Sequence, residues 1–155
     1  MPILCRNKKA LHDYTLHENY EAGMVLSGSE VKSVRNSHIS LKGAYVVLRT
    51  KKNEQHELFL INAHISPYKM AIKSGKKQDP LRSRKLLLNK REINSILGKI
   101  QQKGLTMVPM KIYTKGSRIK LEFAIASGKK KYDKRQTLKK RELDKKIRYK
   151  MMKRG

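Results

Sequence analysis

Arg118-Ile119-Lys120-Leu121-Glu122-Phe123-Ala124-Ile125-Ala126 is the stretch that decides the fold of this chain. Apolar residues take every second position, and charged residues stand between them in the first half of the stretch. Successive side chains of a strand point to opposite faces, so this alternation predicts a strand with one face turned toward a core. The inward residues are Ile119, Leu121, Phe123 and Ile125, and the outward residues are Arg118, Lys120 and Glu122.

Other segments repeat this strand pattern, separated by polar turns. The predicted strands are residues 14–20, 44–49, 57–65, 105–113 and 118–126. Short polar connections at residues 50–56 and 114–117 predict two hairpins. Residues 21–23 are expected to break the first strand, with apolar character resuming at residues 24–26. Residues 66–84 are predicted to be a long irregular basic connection, and loops of that length are often functional.

Two helices are predicted between the strands. The clearer one begins at Asn89, a good N-cap with Glu92 at the third helical position, and Gly104 supplies its C′ stop. Its apolar stripe is Ile93, Ile96, Leu97 and Ile100. A shorter helix is expected over residues 30–35, with Ser27 or Ser29 near its N-cap.

These elements predict a fold that is mainly β with short helices. A small closed antiparallel barrel with flanking helices, similar to the oligonucleotide-binding (OB) fold, is the leading candidate. It would span residues 1–127 and be followed by a basic tail at residues 128–155. From Ser127 onward there are fourteen Lys and Arg against three acids and few apolar residues. We expect such a tail to be disordered when free and helical when bound to RNA.

The net charge of +26 identifies the class of partner. A chain that repels itself this strongly has a polyanion as its natural counterion, which favours nucleic acid over an acidic membrane surface or an acidic protein. No run is long enough to span a bilayer, and residues 1–11, which we expect to form a polar and basic arm before the first strand, hold no apolar signal-peptide stretch. The single cysteine, Cys5, fits a reducing compartment. The expected location is therefore the cytoplasm.

Enzyme signatures are not found, so neither catalysis nor a cofactor is expected. Gly23 and Gly28 have the spacing of a phosphate-binding loop, but Ser29 and Glu30 follow where Lys and Ser or Thr are required. The five histidines are scattered, and one cysteine cannot complete a zinc site with them. No pair of acids has a spacing that suggests general acid–base chemistry. A nuclease with an unrecognised site stays open.

Motifs spread along the chain resemble the tmRNA-binding small protein B family of bacteria. They are Asn7-Lys8-Lys9-Ala10, Tyr20-Glu21-Ala22-Gly23, Gly28-Ser29-Glu30-Val31-Lys32-Ser33-Val34-Arg35, Asp79-Pro80, Arg82-Ser83-Arg84-Lys85-Leu86-Leu87-Leu88, Val108-Pro109 and Asp133-Lys134-Arg135. The match runs in order from about residue 7 to residue 141. It implies a monomeric OB-like barrel that binds the tRNA-like part of transfer-messenger RNA (tmRNA).

The resemblance also implies partners and site residues. With the elongation factor that carries charged tRNA, the protein would bring tmRNA to stalled ribosomes, where its tail enters the 16S rRNA decoding centre and the empty message channel. The candidate RNA-binding residues are Glu30, Lys32, Ser33, Arg35, Arg84, Leu87 and Asn89. The candidate ribosome-contacting residues are Lys129, Lys130, Tyr132, Asp133, Lys134 and Arg135.

Several of these candidates have a second interpretation. Asn89 is a sound helix cap without RNA, and Leu87 fits a core position. Glu30 either accepts hydrogen bonds from bases or ribose, or it orients Lys32 or Arg35. The alternative function is that of a ribosomal protein or ribosome-assembly factor that binds rRNA, because such proteins have the same charge and the same kind of tail.

Overall fold

The computed structural model describes residues 2–70, 75, 78–102 and 104–128. The strands are β1 (Ile3–Arg6), β2 (Tyr14–Met24), β3 (Ile39–Ser40), β4 (Tyr45–Thr50), β5 (His56–Ile61), β6 (His64–Ile65), β7 (Arg84–Leu87), β8 (Leu105–Lys115) and β9 (Arg118–Gly128). The helices are α1 (Ala10–Asp13), α2 (Gly28–Arg35) and α3 (Lys90–Ile100). The prediction of a mainly β fold with short helices is confirmed. The predicted tail lies outside the described residues.

Seven strands form one antiparallel sheet in the order β1-β8-β4-β5-β7-β2-β9. A further pairing between β8 and β9 joins the two ends of this order, so that β8, β4, β5, β7, β2 and β9 form a ring. β8 is long enough to serve three neighbours, because β4 meets it at Met107 and β1 meets it from Lys111 to Tyr113. β3 and β6 pair separately as a two-stranded sheet.

The core lies inside the ring and follows the alternation that β9 predicts. Ile119, Leu121, Phe123 and Ile125 are all buried, and the ring of Phe123 stacks on that of Tyr20 at 5.7 Å. A smaller second cluster, formed by Ala10, Val108 and Ala126, buries the other face of the hairpin beneath α1. Small side chains at the end of β9 therefore allow both of its faces to be covered.

Strand β2 does not break at residues 21–23. It continues to Met24 because Gly23 pairs with Leu87 of β7 on one side and with Lys120 of β9 on the other. A glycine between two strands keeps its backbone hydrogen bonds, so tertiary pairing overrides the local signal for a turn.

Three further points need correction. Residues 57–65 form two strands, because the chain turns at Asn62, where φ is +62°. Residues 84–87, at the end of the predicted connection, were not assigned to a helix or strand and form the strand β7. Residues 3–6, predicted as an arm, form β1 and pair with β8. The short strands β1 and β7 gain stability from long partners, and this is not visible in four residues of sequence.

The helix starts follow their capping residues. Asn89 Oδ1 accepts a hydrogen bond from the Glu92 backbone N–H at 2.8 Å, which confirms the predicted cap of α3. Ser27, rather than Ser29, caps α2. α3 ends at Ile100, so Gly104 is not its C′ residue; its φ of +86° belongs to the turn before β8. None of the described helices combines the length and apolar character needed to cross a membrane.

Candidate RNA-binding surface

A groove of about 690 Å³ lies on the outer side of the ring, where β2, β7, β9 and the start of α3 meet. Gly23 forms its floor, and Leu87 forms one wall with 53% of its surface exposed. Asn89 lies at the end of this wall. Arg118 and Lys120 line the opposite wall. The groove therefore combines an apolar wall, an amide and two cations.

Gly23 leaves open the space between the two walls. A Cβ atom at this position would lie 3.4 Å from Leu87 Cβ and 3.9 Å from Lys120 Nζ. These distances allow a methyl group without a clash, but a larger side chain would fill the floor. Glycine inside a strand often marks a place where another backbone or a ligand approaches closely.

The carboxylates around the groove are few, and one is already engaged. Glu21 accepts a hydrogen bond from the Tyr113 hydroxyl and lies 3.5 Å from Lys115 Nζ. The hydrogen bond from Tyr113 lowers the pKa of Glu21. The pKa of Tyr113 is raised, mainly by burial and also by its hydrogen bond to Glu21. Glu21 is thus charged and is attracted by Lys115 and also by Lys120 of the groove. The groove therefore carries two cations, Arg118 and Lys120, beside two carboxylates, of which Glu21 is partly neutralised by Lys115.

Helix α2 brings more cations to the edge of this groove. Arg35 Nη2 donates to the Ser117 carbonyl oxygen at 2.8 Å, and Ser117 directly precedes Arg118. Lys32 is exposed, and its ammonium lies 5.1 Å from the centre of the Tyr68 ring. The outward face of α2 and the β8–β9 turn therefore form one basic surface.

Beneath α2 lies a buried ion-pair cluster in which Glu30 and Arg84 are buried and the more exposed Arg82 pairs with Glu30 from the surface. Arg84 has 0% exposure and Glu30 has 5%. Arg84 Nε and Nη2 both donate to Glu30 Oε2, at 2.9 and 2.7 Å. Its remaining bonds go to the carbonyl oxygens of Ala63 at 2.7 Å and Pro80 at 3.0 Å. The guanidinium thus ties α2, β7 and the connection before β7 together.

The second oxygen of Glu30 completes the cap of α2. Glu30 Oε1 accepts from the Ser27 backbone N–H at 2.9 Å and from Arg82 Nη2. Burial by itself raises the pKa of Glu30, but the hydrogen bonds from Arg82, Ser27 and Arg84 outweigh it and lower the pKa to about 2. Glu30 is therefore an anion that supports the local fold.

The seven candidate RNA-binding residues divide into two groups. Lys32, Arg35, Leu87 and Asn89 are exposed, whereas Glu30, Ser33 and Arg84 are buried. The hydrogen bonds of Glu30 go to Arg82 and Arg84, not to Lys32 or Arg35 as one interpretation expected. Leu87 is exposed and is not a core residue. The buried Ser33 hydroxyl has no hydrogen-bond partner among the described residues.

Three groove residues were missed as site candidates, namely Gly23, Arg118 and Lys120. Their position depends on the order of β7, β2 and β9 in the ring, which no single segment encodes. The six tail candidates from Lys129 to Arg135 lie outside the described residues. Within the described part of the chain, no three His, Cys, Asp or Glu side chains come together as a metal site.

Comparison with known proteins adds a family to this geometry. The sequence model of the family described as SmpB protein matches residues 4–153. An SsrA-binding protein of Geobacillus kaustophilus (strain HTA426) is 48% identical over 145 residues, covering 94% of this chain and 89% of the relative. An SsrA-binding protein of Caldicellulosiruptor bescii is 48% identical over 149 residues, covering 96% and 90%.

A solved structure is similar as well. It is described by the words "tmRNA-SmpB: a journey to the center of the bacterial ribosome", and it superposes on this chain with a TM-score of 0.63. The identity is 43%, and the superposition covers 81% of this chain and 84% of the other. Sequence similarity along nearly the whole chain and fold similarity along 81% of it therefore point to the same family.

Proposed function

The chain belongs to the SmpB protein family, and from this premise we propose that it binds tmRNA and delivers it to stalled ribosomes for trans-translation. The observation that carries the proposal is the family match over residues 4–153, which includes every residue of the groove. The function needs no covalent chemistry by the protein. It takes place where ribosomes translate, in the cytoplasm.

The groove and the outward face of α2 are the proposed contact with the tRNA-like part of tmRNA. Arg118 and Lys120 neutralise phosphates, and Asn89 offers its amide nitrogen to a base or ribose. Leu87 covers an apolar ribose or base surface. A folded RNA is recognised by shape and by its 2′-hydroxyl groups, so a groove with mixed walls suits it.

The buried ion-pair cluster is proposed to position this surface rather than to contact RNA. Arg84 joins β7, which bears Leu87, to α2, which bears Lys32 and Arg35. A shift of α2 relative to β7 would separate the two halves of the contact. Glu30 and Arg84 therefore belong to the RNA-binding site through their effect on its geometry.

We further infer that the ring of strands is an OB-like barrel, that residues 1–127 are the RNA-binding unit and that residues 128–155 are the part that meets the ribosome. In this proposal the tail becomes helical in the message channel, and Tyr132 stacks on a base of the 16S rRNA decoding centre. The other proposed decoding-centre contacts are Lys129, Lys130, Asp133, Lys134 and Arg135. The elongation factor that carries charged tRNA joins through tmRNA.

The experiment that tests the function is to recover the tagged protein from cell extract and sequence the RNA bound to it. The expected result is one dominant small structured RNA with a tRNA-like end. Ribosomal RNA in near-stoichiometric amounts that resists high-salt washing would replace the proposal with a ribosomal protein or assembly factor.

A matched pair of variants tests the groove. Lys120→Gln removes a cation from the groove, and Lys52→Gln removes one from the β4–β5 turn. The affinity for the tRNA-like fragment of tmRNA, measured by filter binding at fixed salt, should fall more for Lys120→Gln. Equal losses would mean that only total charge matters, because phosphate attraction alone does not depend on position.

A further inference from the structure

A second exposed surface lies beside the groove, on the outer side of β4, β5 and β7. Leu58 and Leu60 of β5 are fully buried, so Phe59 between them points outward. Residues that pair across antiparallel strands share a face, and Phe59 pairs with Val47 of β4 and Lys85 of β7. The outward apolar residues of this surface, here called the outer apolar face, are Val25, Tyr45, Val47, Phe59, Ile61 and Leu87.

The outer apolar face is not part of the core. Val47, Phe59 and Ile61 are half-buried but are not among the side chains that pack against either core cluster of the described residues. Val25, Tyr45 and Leu87 are 43%, 41% and 53% exposed. A contiguous apolar patch on the outside of a small protein marks an interaction site more often than chance exposure.

Cations on this face indicate the chemistry of its partner. The Arg49 guanidinium lies 4.8 Å from the centre of the Phe59 ring. The carboxylate of Glu57 is held by Lys51 at 2.7 Å and by Lys85 at 3.0 Å. The described charges therefore leave the face positive, which opposes a basic or purely apolar protein partner and favours a polyanion with flat apolar parts.

The face is continuous with the groove. Lys85 and Leu87 both point outward from β7, and Leu87 is also a wall of the groove. From β7 to β4 the distance is two strand spacings, about 10 Å. A single RNA can therefore occupy the groove and cross the outer apolar face without leaving the surface.

We propose that the outer apolar face stacks unpaired bases of the same RNA that occupies the groove, with one base on the Tyr45 ring and another on Arg49 where it covers Phe59. The inference rests on the proposed function, since it extends the same RNA contact. Unpaired bases stack on aromatic rings and on guanidinium planes, and such stacking is tolerant of sequence.

The test compares Tyr45→Ala with Tyr45→Phe in the full chain. Stacking needs the ring and not the hydroxyl, so Tyr45→Phe should bind tmRNA as the wild type does. Tyr45→Ala should lose affinity roughly tenfold, the fold-change that corresponds to one stacked base. Arg49→Gln should also weaken binding, and photocrosslinking followed by mass spectrometry should place an RNA adduct on the peptide that contains Tyr45 or Phe59.

The outcomes separate this inference from the proposed function. If Lys120→Gln weakens tmRNA binding while Tyr45→Ala and Arg49→Gln bind as the wild type, the outer apolar face does not stack RNA and the groove assignment stands. If Lys120→Gln, Tyr45→Ala and Arg49→Gln all bind tmRNA as the wild type does, the groove assignment fails as well. If Tyr45→Ala keeps tmRNA affinity but loses ribosome association, the face contacts the ribosome rather than tmRNA and the inference is overturned. Should Tyr45→Ala unfold, Arg49→Gln and the position of the crosslink decide.

Discussion

Glu30 shows how a carboxylate in a strongly basic chain can support the proposed RNA-binding surface without facing it. Its charge is removed from water, which is costly, yet four donors from Ser27, Arg82 and Arg84 surround its two oxygens. A buried ion pair of this kind is weak evidence for stability, because a well-packed apolar pair can be equally stable. Breaking it from one side is a different matter, since the remaining charge is then buried alone.

The pKa of Glu30 makes the stability of the protein depend on pH. The pKa is about 2 in the folded chain and 4.5 ordinarily, so the stabilisation is present above pH 4.5 and is lost as pH falls toward 2. Glu30→Gln should lower the free energy of unfolding by about 3 kcal/mol at pH 7. The difference from the wild type should shrink below pH 4.5 and vanish near pH 2. Urea denaturation across this range measures it, with Glu54→Gln in an exposed turn as the control.

Arg82 and Arg84 share a carboxylate but differ in burial, and this separates their effects. Arg84→Met leaves Glu30 without its buried partner and should cost about 3–5 kcal/mol. The side chain of Arg82 is 45% exposed, so Arg82→Met should cost about 1 kcal/mol or less. Chemical denaturation of both variants at pH 7 compares them. Equal losses of unfolding free energy in the two variants would show that burial does not make the Arg84–Glu30 pair stronger than the Arg82–Glu30 pair.

The sequence holds a signal for Arg84 that the basic run around it hides. If residues 84–87 are taken as a strand, Arg84 and Leu86 face one way and Lys85 and Leu87 the other, as the structure shows. The burial of Ser33 has no such signal, because it depends on what packs against α2.

At the scale of elements, patterns that are complete within one segment predicted well. The β8–β9 hairpin and the β4–β5 hairpin were found from alternation and turns, and α3 was found from its cap and apolar stripe. β1, β7 and the second half of β2 were missed because each depends on a partner distant in sequence. The groove was missed for the same reason, since Gly23 becomes a floor only when β7 and β9 flank it.

Asn89 belongs to α3 and to the proposed RNA contact, and two substitutions separate these roles. Asn89→Ser keeps a capping oxygen, so it should preserve stability while removing the amide nitrogen offered to RNA. Asn89→Ala should lose both the RNA contact and about 1 kcal/mol of stability. Thermal unfolding and tmRNA filter binding report the two effects. If Asn89→Ser binds RNA as the wild type does, Asn89 is a cap only.

At the scale of the whole molecule, family and fold class were predictable because ordered motifs and alternation extend along the chain. Closure of the ring was expected, but the strand order was not. β8 pairs with three strands at different positions along its length, and its own sequence does not specify these partners. The charge of +26 indicated a polyanion without locating it. The place where a polyanion would bind could be proposed only from the ring of strands, because the ring brings Arg35 of α2 beside Arg118.

The proposed division into an RNA-binding unit and a tail predicts separate functional losses. Removal of residues 133–155 should leave binding of free tmRNA intact, because the groove and its supports lie before residue 129. The same truncation should abolish peptide tagging in a translation extract programmed with a message that lacks a stop codon. Binding is compared at physiological salt, since the removed cations add nonspecific attraction at low salt. Loss of both activities together would contradict the division.

Strand β9 begins with Arg118 at the groove and ends with Gly128, which pairs with Tyr14. Both sides of β9 are hydrogen-bonded to neighbouring strands, so β9 fixes a distance of roughly 30 Å between the groove and the start of the basic extension. The groove at one end of β9, where RNA is proposed to bind, and Gly128 at the other end thus keep a constant separation. An insertion of two residues in β9 would increase that separation while leaving every side chain on the face of the sheet that it occupies now.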